Sequence, residues 1–234
     1  RRAFSYWTPA RPKVEQMRLL LIRHGQTVDN VNGELGTVIP GPVLTELGEE
    51  QAAAIPAALA DQRIEAIFAS TMQRTALTAA PLAAALGLDI EVLDGLQEIG
   101  AGAFEGKSDK DSIRAYMGTI LSWWQDSASR ISGGENGDEF FARFTGAVSR
   151  AAAGRAGTIA IFSHGAALRT WASAISVNID EAFSRVHDLP NTAMIVLEGS
   201  PADGWTALHW NGEPVGGEAL DDPSAIDPTG ELQP

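Results

Sequence analysis

Arg18-Leu19-Leu20-Leu21-Ile22-Arg23-His24-Gly25 is the stretch on which the fold turns. Its apolar run has the length and continuity of a strand buried on both faces of a sheet, and it stops abruptly at Arg23-His24-Gly25. A second run of the same kind, residues 158–162, stops at Ser163-His164-Gly165. Working outward, residues 64–69 and 90–93 read as two further short strands. An alanine-rich helix over about 49–60 follows Leu44-Thr45-Glu46-Leu47-Gly48. Another helix, over about 72–86, ends at Gly87, and a short helix over 166–175 follows His164. Residues 109–153 are helical in pattern, with Tyr116, Trp123, Trp124, Phe140, Phe141 and Phe144 interrupted by Ser132-Gly133-Gly134, which predicts two helices and a turn. Residues 193–197 and 205–210 complete the set as a hairpin. Strands alternating with helices predict an α/β three-layer sandwich with a mainly parallel central sheet of about six strands and helices on both faces.

The chain has 234 residues, enough for one large α/β domain, and no stretch approaches a membrane span in length. It contains no cysteine, which removes disulfides, thiolate zinc sites and a cysteine nucleophile but leaves the redox compartment open. A net charge of -13 makes nucleic acid and anionic membranes poor partners, so any anion site must be a local concentration of positive charge. Residues 1–16 read as an N-terminal extension, because Met17 stands immediately before the first strand and the segment lacks the apolar core of a secretory signal. Residues 17–210 read as a single domain with a helical insertion at about 107–153. Residues 211–234 carry Glu213, Glu218, Asp221, Asp222, Asp227 and Glu231 with no Lys or Arg and read as an acidic C-terminal tail without a core of its own. The expected location is the cytoplasm.

In a parallel sheet ligands bind at the carboxyl ends of strands. His24 and His164 each follow the end of a buried strand and precede a glycine, so both imidazoles are expected at the same sheet edge. The glycines would let a substrate approach the backbone, and the helix after His164 would offer its N–H groups to an anion. Arg23 and Arg74, the latter where the second strand meets its helix, can reach that edge too. Guanidinium forks match phosphate oxygens and stay charged, so two arginines with two histidines form a trap for a dianion.

Arg23-His24-Gly25-Gln26-Thr27 with Asn30, Ser70 to Arg74, Leu96-Gln97-Glu98 followed by Gly102 to Gly106, and Ser163-His164-Gly165 together resemble the histidine phosphatase superfamily, which includes phosphoglycerate mutases. The resemblance runs over about residues 18–197. It implies a phosphoglycerate mutase-like fold and a phosphoric monoester hydrolase of the phosphatase branch. It further implies that His24 is the nucleophile that becomes phosphohistidine, that Arg23, Asn30, Arg74 and His164 hold the phosphoryl oxygens, and that Glu98 is the proton donor. Phosphoryl transfer asks mainly for alignment and charge neutralisation. Arg23, Arg74 and a positively charged His164 would supply what other enzymes take from magnesium, so no metal and no cofactor is expected. His24 must be neutral while Glu98 is protonated. A free Glu titrates near about 4.3 and a free His near about 6.5, so Glu98 needs a raised pKa and an acidic optimum is expected.

Simpler readings stand beside these. Arg74 could be a surface residue, although its charge at a helix start is unfavourable unless an anion is near. Glu98 could be solvated, and Glu105 lies close by. His187 and His209 lack matching neighbours and read as structural. A zinc site fits poorly, since the nearest charged residues in sequence to His24 and His164 are Arg23 and Arg169. Residues 102–108 resemble a P-loop ending, but the first glycine would fall at Ala101 and the spacing fails. The aromatic residues between Tyr116 and Phe144 read as helix packing, with a bulky leaving group as the other reading. The expected partner is a small phosphorylated substrate, and homodimerisation is left open. A phosphoglycerate mutase is the alternative activity, kept alive by Lys107, Lys110 and Arg114, which could approach a second phosphate. A phosphate-binding regulatory module without turnover is the third.

Overall fold

Alternation along β1 (Met17–Arg23) divides the interior into two layers. Leu19 and Leu21 point into one apolar core and Leu20 and Ile22 into the other, all of them fully or almost fully buried. Each such side chain contributes about 1.5–3 kcal/mol relative to exposure, so a strand apolar on both faces is stable only between two covering layers. The structure is a computed structural model that describes residues 16–225 and 227–230. Residues 1–15 of the expected N-terminal extension lie outside the described residues.

The elements follow in the order β1, α1 (Val28–Asn32), α2 (Glu46–Ala58), β2 (Ile64–Ala69), α3 (Gln73–Leu86), β3 (Ile90–Val92), α4 (Lys110–Ser122), α5 (Gly137–Ala152), β4 (Thr158–Ser163), α6 (Gly165–Ile175), α7 (Glu181–Ser184), β5 (Met194–Ser200) and β6 (Gly204–Trp210). They build one six-stranded sheet in the order β3-β2-β4-β1-β5-β6. The first four positions are parallel, and β5 and β6 close the sheet as an antiparallel hairpin. Ile55, Ala79 and Leu82 of α2 and α3 cover one face. Ile113, Phe140, Phe144 and Trp171 of α4, α5 and α6 cover the other. This is the three-layer α/β arrangement expected from the pattern.

Local signals explain the helix boundaries. Thr45 caps α2 by accepting from Gly48 N, Asp109 caps α4 by accepting from Ser112 N, and Asn136 and Glu139 form a reciprocal capping box on α5. Gly87 ends α3 in the left-handed conformation at φ 65°. The helix expected over 49–60 starts three residues earlier, at Glu46. The short α1 and α7 have no counterpart in the sequence pattern. Tyr116, Phe140 and Phe144 are fully buried, so these aromatics serve helix packing, while Trp123, Trp124 and Phe141 line a separate hollow beside α4 and α6. No helix among the described residues is long and apolar enough to cross a membrane.

Residues 226 and 231–234 of the region read as an acidic tail, Glu231 among them, lie outside the described residues, and its described part folds back onto the domain. It makes no core of its own, yet Val215 joins the core beside α2 and α3, and Asp227 and Thr229 are buried against β1 and α6. Alternating carboxylates and prolines hide this docking, because the polar contacts of Asp227 and Thr229 are made to Arg23, about 200 positions away.

Candidate active site

β1 and β4 are adjacent and parallel, with Arg23 paired to Ser163 in register. The next residue on each strand is therefore His24 or His164, and neighbouring strands lie about 4.8 Å apart. The two rings sit with centroids 5.2 Å apart and planes tilted by 59°. His24 Nδ1 is 2.8 Å from the carbonyl oxygen of Gly25, and a carbonyl only accepts. Nδ1 thus carries the proton, and Nε2 keeps its lone pair. The same strand end is fixed from the β5 side: Asn191 Nδ2 and Thr192 N donate to the His24 carbonyl at 3.1 and 3.2 Å. Thr192 holds φ 56°, a position unusual for a β-branched residue, to make that contact.

His164 Nε2 meets Ser70 Oγ at 2.7 Å, while its Nδ1 is buried without a hydrogen-bond partner. Arg74 is 3% exposed. It donates one bond, from Nη2 to Gly36 O at 3.1 Å, and leaves Nε and Nη1 buried and unpartnered. Gly41, at φ +72°, lets the backbone pass over this guanidinium, since a Cβ there would lie 2.7 Å from Nη1. Orphaned buried nitrogens cost free energy, and an oxyanion would satisfy them. His24, Asn30, Arg74, Glu98 and Thr229 line one pocket together with Asp29 and Glu34. Asn30 is anchored at the start of α1, where its Oδ1 accepts from Thr27 N at 2.9 Å.

Glu98 is buried in the same wall. Its carboxylate accepts from Ile99 N, Ala166 N and Ala167 N at 2.8, 3.0 and 2.7 Å. It thereby occupies the N-terminus of α6 that the sequence pattern reserved for a bound anion. Arg143 of α5 holds the Glu98 loop by donating to the carbonyls of Gly95, Gln97 and Glu98, and pairs with Glu135. Glu105 serves elsewhere: it accepts from Thr37 N at 2.7 Å and from Val38 N at 3.0 Å and so shapes the loop ahead of α2.

Several expectations are corrected. The glycines after the histidines make room for protein backbone. A Cβ on Gly25 would lie 2.7 Å from Gly48 O, and one on Gly165 would lie 2.7 Å from Thr229 O. The positive charge expected on His164 is opposed by burial, by Arg74 and by His24, which hold its pKa well below the usual imidazole range. Arg23 is wholly buried, but its guanidinium donates to Leu189 O and Thr229 Oγ1 and is ion-paired with Asp227. Lys107 and Lys110 are exposed, Arg114 is exposed and paired with Asp111, and none of the three lines the pocket. His187 stacks on Phe183 and His209 pairs with Asn211, both away from it. Among the described residues, no group of three or more His, Asp or Glu side chains is arranged to hold a metal ion. Asn191, Thr192 and Arg143 were missed by sequence reasoning, since each acts on a neighbour distant in the chain.

The protonation states follow from burial. Burial, Arg74 and Arg23 depress His24 well below the free value of 6.5. Burial raises Glu98, against the three N–H bonds that favour its anion. For both histidines, stability is full above about 6.5 and is lost as pH falls toward the folded values. Glu98 has the opposite sign: its contribution is full below 4.5 and is lost as pH rises through its higher folded value. With two histidines against one carboxyl, the thermal midpoint should fall on acidification from pH about 6.5 to about 5. A His24→Asn, His164→Asn double variant should flatten or reverse that slope, and an identical slope in both proteins would contradict the assignment.

A buried pair of imidazoles and a guanidinium with two unpartnered nitrogens stand at the carboxyl edge of the parallel strands of this α/β protein. The family follows from comparison: residues 19–213 match the model of the histidine phosphatase superfamily (branch 1), and the chain belongs to that superfamily. The PE-PGRS family protein PE_PGRS11 of Mycobacterium tuberculosis is 36% identical over 223 residues, 88% of this chain. The chain spans only 38% of that relative's length. Glucosyl-3-phosphoglycerate phosphatase of Mycolicibacterium vanbaalenii is 32% identical over 123 residues, 51% of this chain and 52% of that protein. A solved mycobacterial glucosyl-3-phosphoglycerate phosphatase in complex with VO3 superposes with a TM-score of 0.70 at 26% identity, covering 83% of this chain and 98% of that chain.

Proposed function

We propose that the protein is a phosphomonoester hydrolase that moves a phosphoryl group from a small substrate to Nε2 of His24 and then to water. The observation that carries this reading is the His24 ring itself. Its Nδ1–H is spent on Gly25 O, its pKa is depressed by burial, and its free Nε2 belongs to a ring beside His164 in the pocket that Arg74 lines. Attack by Nε2 forms the N–P bond as the ester P–O bond breaks, and Glu98 delivers its proton to the departing alcohol oxygen. Water then attacks phosphorus, its O–P bond forming as the N–P bond breaks, and gives a proton to Glu98, which releases phosphate and restores both His24 and the acid. Arg74, Asn30 and His164 Nδ1 hold the equatorial oxygens, with Arg23 joining them; the guanidiniums neutralise charge and the neutral donors fix alignment, so no metal is called for.

The substrate we favour is a monophosphate of an alcohol with little further negative charge. Asp29 and Glu34 stand in the pocket wall and would repel a second phosphate, whereas Lys107, Lys110 and Arg114 stand away from it. This supports phosphatase over mutase. The relatives named as glucosyl-3-phosphoglycerate phosphatase and phosphoserine phosphatase make a sugar-linked phosphoglycerate and phosphoserine the first compounds to try.

The test is to incubate the protein with p-nitrophenyl phosphate in the presence of a chelator, quench in alkali, and map the phosphorylated peptide. Phosphate release that survives chelation, with an acid-labile phosphoryl group on the peptide containing His24, is expected. Turnover that stops on chelation, or a label on another residue, would remove the mechanism. Interconversion of phosphoglycerates faster than hydrolysis would turn the reading to a mutase.

A further inference from the structure

An arginine has two edges that can grip an oxyanion with two parallel bonds, Nε with Nη2 and Nη1 with Nη2, and both need an Nη2 hydrogen. In Arg23 this Nη2 is engaged by one segment: it donates to Thr229 Oγ1 at 3.1 Å and is ion-paired with the Asp227 carboxylate. Nη1 donates to Leu189 O at 2.9 Å, and Nε is buried without a partner. Asp227 in turn accepts from Thr229 N and Oγ1 at 3.3 and 3.2 Å, so the carboxylate and the hydroxyl form one unit. The segment is fastened by Leu189 N, which donates to Gly230 O at 2.8 Å. Thr229 also lines the pocket that holds His24 and Glu98.

We propose that segment 227–230 is a competitor built into the chain, its carboxylate and hydroxyl holding Arg23 in the way phosphate oxygens would, so that substrate must displace it to engage that arginine. The inference rests on the phosphate pocket proposed above. Binding is then weakened by the fraction of molecules in which Arg23 is occupied, and the segment acts as a brake whose strength is set by one ion pair. A partner or ligand that draws the segment away would release it.

Calorimetric titration of inorganic phosphate into the full chain and into Asp227→Asn tests this. The variant should bind phosphate about fivefold more tightly or better. Equal or weaker binding by a folded variant overturns the proposal, because an Asp227 that merely positions Arg23 would be missed on removal. Loss of the buried counterion could prevent the variant from folding, so hydrogen exchange on the unaltered protein is the second measurement. Saturating phosphate should speed exchange at Leu189 and across 227–230, whereas slowed or unchanged exchange there overturns the proposal. Phosphate binding to neither protein, with Arg74→Ala indistinguishable from both, would sink the pocket itself. Equal binding by both proteins that Arg74→Ala abolishes would sink only the competitor.

Discussion

His24→Ala should hydrolyse p-nitrophenyl phosphate at least about 10⁴-fold more slowly than the unaltered protein, because it removes the nucleophile and with it the covalent route. The ring of His164 lies beside that of His24, but its Nε2 is engaged with Ser70. What should survive is binding. Arg74 and His164 Nδ1 remain, so the phosphate dissociation constant should move by no more than a few-fold while kcat collapses. Free imidazole, which can enter the space left by the ring and attack in its place, should restore part of the rate. Steady-state kinetics with a circular dichroism check of the fold reads all three quantities. A rate within tenfold of the original would leave no role for the imidazole as a nucleophile.

Glu98→Gln should separate the two halves of turnover. With an alkyl phosphate the departing alkoxide needs a proton, and losing a general acid costs about 10²–10⁴-fold. With p-nitrophenyl phosphate the phenolate leaves unaided, so the first half should persist as a burst of one equivalent while water attack becomes slow. The pH profile supplies the independent check. Activity is lost on the acid side as His24 takes up a proton at its lowered pKa, and on the alkaline side as Glu98 gives one up at its raised pKa. Glu98→Gln should erase the alkaline limb and keep the acid one. Equal losses on both substrates with no burst would make Glu98 a structural cap of α6 and nothing more.

How much of this was legible beforehand varied with the range of the interactions. The apolar run at Leu19 to Ile22 and its partner at Ile159 to Phe162 mark central strands because burial on both faces leaves no polar position. The placement of His24, His164 and Arg74 at one edge follows from strand-end position alone. The five-residue α1 carries too few positions to show a period, and α7 has fewer still. The seizure of the α6 terminus by Glu98, and of Arg23 by Asp227, was illegible for another reason. Both satisfy a buried group with an oxygen brought in from a remote segment, and local pattern is silent about which of many carboxylates arrives. The same holds for Arg143, whose targets are backbone carbonyls that any sequence would present.

The pairing of Arg23 with Ser163 has a longer consequence. The interval between the two imidazoles is a lattice constant of hydrogen-bonded sheet, fixed by geometry common to every such sheet and insulated from the connections above it. Exposed turns remote from the pocket, such as the one around Asp61, can thus vary without changing the distance between the rings. A scaffold of this kind holds the two rings at one fixed interval while its outer turns stay open to change.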